Sequence, residues 1–305
     1  MALKLDDEQQ EVVDYTDNTI VIAGPGSGKT RILVAKAEKL YREGKDLICL
    51  TFTRAAAQEI RDRTTGILAC TIHSYCYSVV GWPGSHELLL PLGSLQTKDK
   101  FEYVLVDEVQ DLTEEQLGVV NSIRGGKLFA VGDPFQSIYG WNGALGLDVI
   151  DTFKFLGCKE YPLKNNYRSC PEVVRLLNSM YPRGLVSKGI KKNGITAILA
   201  RTKNQVKEVS TILLREGVGF TARYGSTELS NTKEEYCGST KLRVMTCHCS
   251  KGLEFDNVIL YGWDFSRLWG EEKQVRYVSV SRASMGFTDR VQNEKQLLSA
   301  LEGMK

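Results

Sequence analysis

The sequence predicts an α/β protein of two parallel-sheet domains, and three observations carry that prediction. A glycine-rich phosphate loop lies between an apolar run and a helical pattern. Apolar strand runs then alternate with helical patterns, and a similar alternation restarts past residue 151. The loop reads Ala23-Gly24-Pro25-Gly26-Ser27-Gly28-Lys29-Thr30, with Thr19-Ile20-Val21-Ile22 before it. Its glycines let the backbone curl so that several N–H groups face phosphate oxygens, and the following helix adds its positive end. In this spacing Lys29 reaches the β- and γ-phosphates and the Thr30 hydroxyl ligates Mg²⁺.

A chain of 305 residues has room for two domains, each with its own core. The net charge of +2 gives no global field toward nucleic acid, so any such binding has to come from a local groove. Eight cysteines, at 49, 70, 76, 158, 170, 237, 247 and 249, form no C-x-x-C pair, which reads as reduced thiols. Cys247-His248-Cys249 has no partner pair at zinc spacing. Neither a run of transmembrane length nor a signal peptide is found, so the expectation is a cytoplasmic protein with no membrane partner.

In chain order, a short amphipathic helix is expected over 5–13. Strands follow over 46–51, 67–71, 103–106 and 128–132, with helices over 31–43, 54–64, 74–80 and 114–124. The run Val104-Leu105-Val106 ends in Asp107-Glu108-Val109-Gln110-Asp111, an acidic pair where an open α/β sheet places its ligand. Asp107 suits Mg²⁺, and Glu108 suits an attacking water. The loop over 132–144 combines Gln136 with Tyr139 and Trp141. By composition its rings pack on a neighbouring domain or stack on nucleobases, with neither favoured. A junction is expected over 152–158, giving domains 1–153 and 154–305. The second domain reads as helices over 171–180, 204–216 and 272–282, strands over 195–200, 242–246 and 257–261, and a helical tail from Asn293. A polar surface loop covers 225–240.

With these segments aligned, the sequence resembles the UvrD/Rep family of superfamily 1 DNA helicases over most of its length. Gln9 lies in a stretch similar to the Q motif, which implies adenine recognition. Thr51-Phe52-Thr53-Arg54 resembles motif Ia and Thr71-Ile72-His73-Ser74 motif Ib. Asp107–Asp111 corresponds to motif II and the 132–144 loop to motif III. Asn166-Tyr167-Arg168-Ser169 resembles motif IV, Met245–Phe255 motif V and Tyr277–Ala283 motif VI.

The resemblance implies two RecA-like domains with the ATP site in the cleft between them. Lys29, Glu108, Gln136, Arg168 and Arg282 would be catalytic. Gln9, Gly24, Gly26, Ser27, Gly28, Lys29, Thr30, Arg31, Tyr167 and Glu254 would hold ATP, with Mg²⁺ on Thr30 and Asp107. Phe52, Thr53, His73, Tyr139, Trp141, Thr246 and His248 would contact single-stranded DNA, Thr51 adding a phosphate contact. On this likeness Tyr139 and Trp141 stack on bases. The implied activity is an ATP-dependent helicase moving 3′→5′ on single-stranded DNA and at single/double-strand junctions. Its setting would be DNA repair or replication, with a possible protein partner from that machinery.

The sequence also departs from the family. Asn142 stands where an arginine is usual, Val109 where an aromatic is usual, and residues 284–289 look less strand-like than expected. Few residues separate Val80 from Phe101 and Tyr224 from Lys241, leaving no room for the usual accessory insertions. The competing expectation is an ATP-gated module that binds single-stranded DNA or a partner, hydrolyses slowly and does not unwind processively.

Overall fold

The computed structural model describes residues 4–189, 194–224, 227–230, 241–263 and 270–303. The chain divides into two compact units, Met1–Lys164 and Asn165–Lys305.

The first unit holds strands β1 (Thr19–Ala23), β2 (Leu47–Thr51), β3 (Leu68–Thr71), β4 (Phe101–Val106), β5 (Arg124–Gly132) and β6 (Lys159–Leu163). They form one sheet in the order β3-β2-β4-β5-β1-β6, parallel throughout. Every residue of β1 and β2 is buried. Alternate side chains feed two separate cores. Ile20, Ile22, Ile48, Leu50, Val104 and Val106 enter one, and Val21, Ala23, Leu47, Cys49, Leu105 and Phe129 the other. The apolar runs lack alternation because both faces of this sheet are covered.

The helices are α1 (Asp7–Asp14), α2 (Lys29–Arg42), α3 (Arg54–Arg63), α4 (Ile72–Val80), α5 (Leu89–Gln96), α6 (Glu114–Ile123) and α7 (Val149–Phe155). Side chains set most of their starts: Asp6 and Gln9 form a capping box on α1, while Thr53 and Thr71 cap α3 and α4. For α2 the N-cap is Gly28 at φ 85°, a region that glycine enters without penalty.

Lys36, on α2, is buried, and its ammonium donates to the carbonyls of Val13 (2.9 Å) and Tyr15 at the C-terminal end of α1. Burial pushes its pKa down to about 8. The unfolded chain therefore binds more protons than the native one between that value and the ordinary 10.5. Stability gains from this group as pH rises through the window. Between pH ~7.5 and ~9.5 the wild type should gain about 2 kcal/mol more in urea unfolding than Lys36→Met. Equal gains in the two proteins would show that Lys36 keeps its ordinary pKa.

The first unit runs to Lys164 rather than to residue 153, and residues 152–158 are not a junction. α7 buries Val149 and Phe153 in the first core, and β6 then pairs in parallel with β1 as the sheet's edge.

The second unit contains the short parallel pair β7 (Asn165–Asn166) and β8 (Val186–Ser187). Its main sheet uses β9 (Thr196–Ala200), β10 (Thr221–Tyr224), β11 (Thr227–Ser230), β12 (Leu242–Thr246), β13 (Phe255–Tyr261) and β14 (Ala283–Val291), ordered β11-β10-β12-β9-β13-β14. Only the β10–β11 pair is antiparallel. Its helices are α8 (Pro171–Met180), α9 (Lys203–Arg215), α10 (Glu271–Ser281) and α11 (Glu294–Glu302). Two expectations change here. Residues 284–289, which read as weakly strand-like, lie within β14, whose pairing with β13 shifts register twice. The polar stretch over 225–240 contains β11; its remaining residues, Cys237 among them, lie outside the described residues.

Candidate nucleotide site

The sheet order of the first unit decides which side chains meet. The phosphate loop leaves β1, Asp107 and Glu108 leave β4, and β5 lies between those two strands. The segment after β5, Asp133–Gln136, therefore emerges between the loop and the acidic pair at the sheet's C-terminal edge. Such an edge is where open α/β sheets bind ligands.

Within the loop, Gly26 and Gly28 take φ of 67° and 85°. The buried Ser27 donates from its hydroxyl to the Gly24 carbonyl (2.7 Å). Gln9 braces the loop from α1: its amide nitrogen donates to the Ser27 carbonyl (2.9 Å), and its Oε1 accepts the Asp6 backbone N–H (3.2 Å). Both ends of the Gln9 amide are thus engaged by the chain itself. A Cβ on Gly28 would sit 3.0 Å from the Gln9 amide nitrogen, a tight contact added to the left-handed backbone that already favours glycine there. Lys29, Thr30 and Arg31 open α2, all half-buried. The Arg31 Nε is buried without a hydrogen-bond partner.

Asp107 is buried. Its burial, and next the neighbouring Glu108 carboxylate, hold its pKa well above the usual carboxylate range, against the pull of Lys29. A carboxylate so placed fits a cation. Among the described residues no group of three or more His, Cys, Asp or Glu could hold a metal. The Asp107 carboxylate and the Thr30 hydroxyl are hard oxygen donors, the kind that Mg²⁺ takes.

Glu108 sits at φ 52°, left-handed backbone that costs a non-glycine residue roughly 1–2 kcal/mol. Two bonds hold the turn, Glu108 N–H to the Asp107 carboxylate (2.9 Å) and Asp111 N–H to the Glu108 carbonyl (3.0 Å).

Neither Gln110 nor Asp133 has a role that the sequence alone assigns. Both are fully buried and connect the site. The Gln110 amide nitrogen donates to the Glu108 carboxylate (2.5 Å), and its oxygen accepts the Asp133 N–H (2.9 Å). The Asp133 carboxylate accepts from the Gln136 amide nitrogen (2.7 Å). Glu108 and Gln136 are thereby two ends of one hydrogen-bonded chain. Gly132 is required beside it, since a Cβ there would come within 2.5 Å of the Gln110 oxygen. One clue was available in the sequence: Asp107, Glu108, Gln110 and Asp111, four polar residues among the five that follow an apolar strand, have to be hydrogen-bonded if buried.

The same segment continues into the aromatics. Tyr139 stacks on Phe52 (centroids 5.3 Å apart, planes at 30°), and Trp141 stands edge-on to Tyr139 at 6.3 Å. Trp141 is 71% exposed. His73 is exposed at the start of α4, while Thr51, Thr53 and Thr71 hydroxyls are engaged in turns and caps.

In the second unit, residues from three distant segments converge. Arg168 donates to the Ser281 carbonyl (3.1 Å) and pairs with the Glu254 carboxylate. Arg282, buried, donates to the Leu253 carbonyl (3.2 Å), the Ser281 hydroxyl (2.9 Å) and the Val278 carbonyl (3.3 Å). Ser281 is thus shared by both guanidinium groups, a link the sequence did not reveal. The Asn166 side chain receives the Arg168 and Ser169 N–H groups, which sets the turn carrying the exposed Tyr167. Thr246 ends β12 buried, accepting the Cys249 N–H (3.4 Å), and His248 is half-buried beyond it.

A phosphate loop and a buried acidic strand end on one parallel sheet, followed by a second α/β unit, define a phosphate-loop nucleotide-binding protein of RecA-like architecture. The chain is similar to UvrD-like superfamily 1 helicases in two separate stretches. Residues 9–142 match the AAA domain model, and residues 223–286 match the UvrD-like helicase C-terminal domain. The chain is 25% identical to the ATP-dependent DNA helicase PcrA of Bacillus subtilis, over 74% of this chain and 51% of that protein. It is 27% identical to a probable DNA helicase of Mycoplasma pneumoniae, over 61% and 42%. It therefore spans about half the length of these curated relatives, or less. Its fold is shared with the Pif1 helicase from Candida albicans (TM-score 0.61, 13% identity, 100% of both chains). The structure of Bacteroides Pif1 bound to ssDNA also matches (TM-score 0.55, 14% identity, 99% of this chain and 97% of that one).

Proposed function

We propose that the chain is an ATP-driven motor that moves 3′→5′ along single-stranded DNA and opens duplex at single/double-strand junctions, acting inside the cell in repair or replication. One observation carries the reading. The hydrogen-bonded chain Glu108–Gln110–Asp133–Gln136 runs from the carboxylate suited to activate water into the segment bearing Tyr139 and Trp141. Nucleotide chemistry and base stacking thus share one rigid connection. Relatives named as DNA helicases, and a structural neighbour described with bound ssDNA, support the choice of substrate.

In this reading the phosphate-loop amides and Lys29 hold the β- and γ-phosphates, with Gln9 keeping the loop in shape. Mg²⁺ held by Thr30 and Asp107 would neutralise phosphate charge. Glu108 takes a proton from the attacking water, whose oxygen bonds to the γ-phosphorus as the bond to the β–γ bridging oxygen breaks. Gln136 senses the γ-phosphate, and Arg168 and Arg282 neutralise the charge that develops there.

The test is steady-state ATP hydrolysis with and without unstructured single-stranded DNA. A large stimulation is expected, with polarity then read on tailed duplexes; a rate indifferent to DNA would sink the reading. Asn142 and the short 81–100 segment favour the second reading, an ATP-gated clamp without movement. Displacement of streptavidin from a strand end separates the two, because only a motor accelerates it.

Gln110→Leu keeps volume and removes the amide's bonds to Glu108, Asp111 and Asp133. With bonds to charged groups worth roughly 1.5–3 kcal/mol, kcat should fall about 10- to 100-fold at little-changed KM for ATP. Stimulation by DNA should also be blunted. Unchanged kcat would show that Gln110 does not position Glu108.

A further inference from the structure

A second aromatic cluster stands on the first unit, and the proposed chemistry does not use it. His73 and Tyr77 lie one turn apart on α4 and so share a face. Beyond the helix, Gly81 and Gly84 take φ of 70° and 86°, and the chain turns back. Trp82 comes to lie parallel to Tyr77 (planes at 7°, centroids 6.3 Å apart), with His86 edge-on to Trp82 at 5.0 Å. The Tyr77 hydroxyl and His86 Nδ1 are hydrogen-bonded at 2.9 Å, so the rings are fixed to one another. Trp82 is nevertheless 63% exposed, His86 is exposed, and only Tyr77 packs against the core. An indole held rigid by its neighbours and left in water is an arrangement for binding, since ordinary packing would have covered it.

Position and charge indicate the occupant. Thr51 of β2 and Thr71 of β3 are paired in register, so Phe52 and His73 leave adjacent strands at the same sheet edge, roughly 5 Å apart in strand spacing. The Phe52–Tyr139–Trp141 cluster and the His73–Tyr77–Trp82 strip are therefore consecutive features of one edge. Between residues 72 and 97 the sequence carries a single carboxylate, Glu87, and otherwise neutral hydroxyls and two histidines. A surface of fixed π faces nearly free of negative charge suits unpaired bases and their phosphates, and stacking accepts any base.

We propose that Tyr77, Trp82 and His86 form a second base-stacking platform, which takes the unpaired bases next to those held at Phe52, Tyr139 and Trp141. The inference rests on the single-strand reading above and extends its track along α4.

The test is photocrosslinking of the full chain to oligonucleotides containing 5-iododeoxyuridine, with the adducts mapped by mass. It is paired with fluorescence anisotropy on Trp82→Ala and Trp82→Phe, using oligonucleotides of about 5 and about 15 nucleotides. Adducts are expected at Trp82 as well as in the Trp141 cluster. Trp82→Ala should weaken the long oligonucleotide roughly 5- to 100-fold and the short one far less, and Trp82→Phe should restore most of the loss. Adducts confined to the Trp141 cluster, with Trp82→Ala binding both lengths as the wild type does, would assign the platform to a protein partner and overturn the proposal while leaving the motor intact. Equal weakening at both lengths would overturn it too. Absence of all binding and all adducts would remove the single-strand reading and this platform together.

Discussion

Glu108→Gln is expected to lower ATP turnover by roughly 10²–10⁴-fold while ATP binding persists, the range for loss of a positioned general base. The substitution is nearly isosteric. The Gln110 amide nitrogen now donates to the Glu108 carboxylate, and the oxygen of a glutamine there would still accept it. The turn is held by backbone bonds that do not depend on the Glu108 side-chain charge, namely its N–H to Asp107 and its carbonyl from Asp111. Geometry is therefore preserved and basicity removed. Single-turnover hydrolysis and equilibrium binding of a fluorescent ATP analogue separate the two effects. Lost hydrolysis with wild-type affinity fits a base, and undiminished turnover removes Glu108 from that role.

Legibility in the sequence followed the distance over which each feature is built. The phosphate loop is made by consecutive residues, so Gly28, Lys29 and Thr30 could be read directly, strand before and helix after. The second unit's cluster could not. Arg168 meets Glu254 and Ser281 across long sequence separations, and only motif order hinted that these residues belong together. The domain boundary was misread for a related reason. Lys159-Glu160-Tyr161-Pro162-Leu163 carries charges and a proline, which argues against a central strand but is allowed at a sheet edge, where β6 lies. Nothing local says that its partner is β1. Gln110 and Asp133 were missed because an isolated buried polar residue has no periodicity. Its meaning is its partner, and the partner is set by strand order.

Arg282→Ala should be the more damaging of the two arginine deletions, lowering DNA-stimulated kcat by about 10³-fold or more, the scale of an arginine finger. Arg282 is buried, and its guanidinium is fixed by the Leu253 and Val278 carbonyls and the Ser281 hydroxyl, so its removal takes away a fully seated fork. Arg168 is seated less deeply, held by the Ser281 carbonyl and by Glu254, a carboxylate that is itself 60% exposed. Arg282→Lys should not rescue, because an ammonium cannot reproduce a planar fork that reaches Leu253, Ser281 and Val278 together. Since both arginines bond to Ser281, the double variant should lose less than the product of the single losses. Steady-state hydrolysis at saturating ATP and single-stranded DNA measures all four proteins. An Arg282→Ala protein with wild-type kcat and a lowered melting temperature would reduce the residue to a brace between α10 and the Leu253 turn. Selective loss of kcat with the melting temperature held would instead assign Arg282 to the reaction, and a double variant that loses less than the product of the single losses would make the shared Ser281 the point through which the two charges act as one unit.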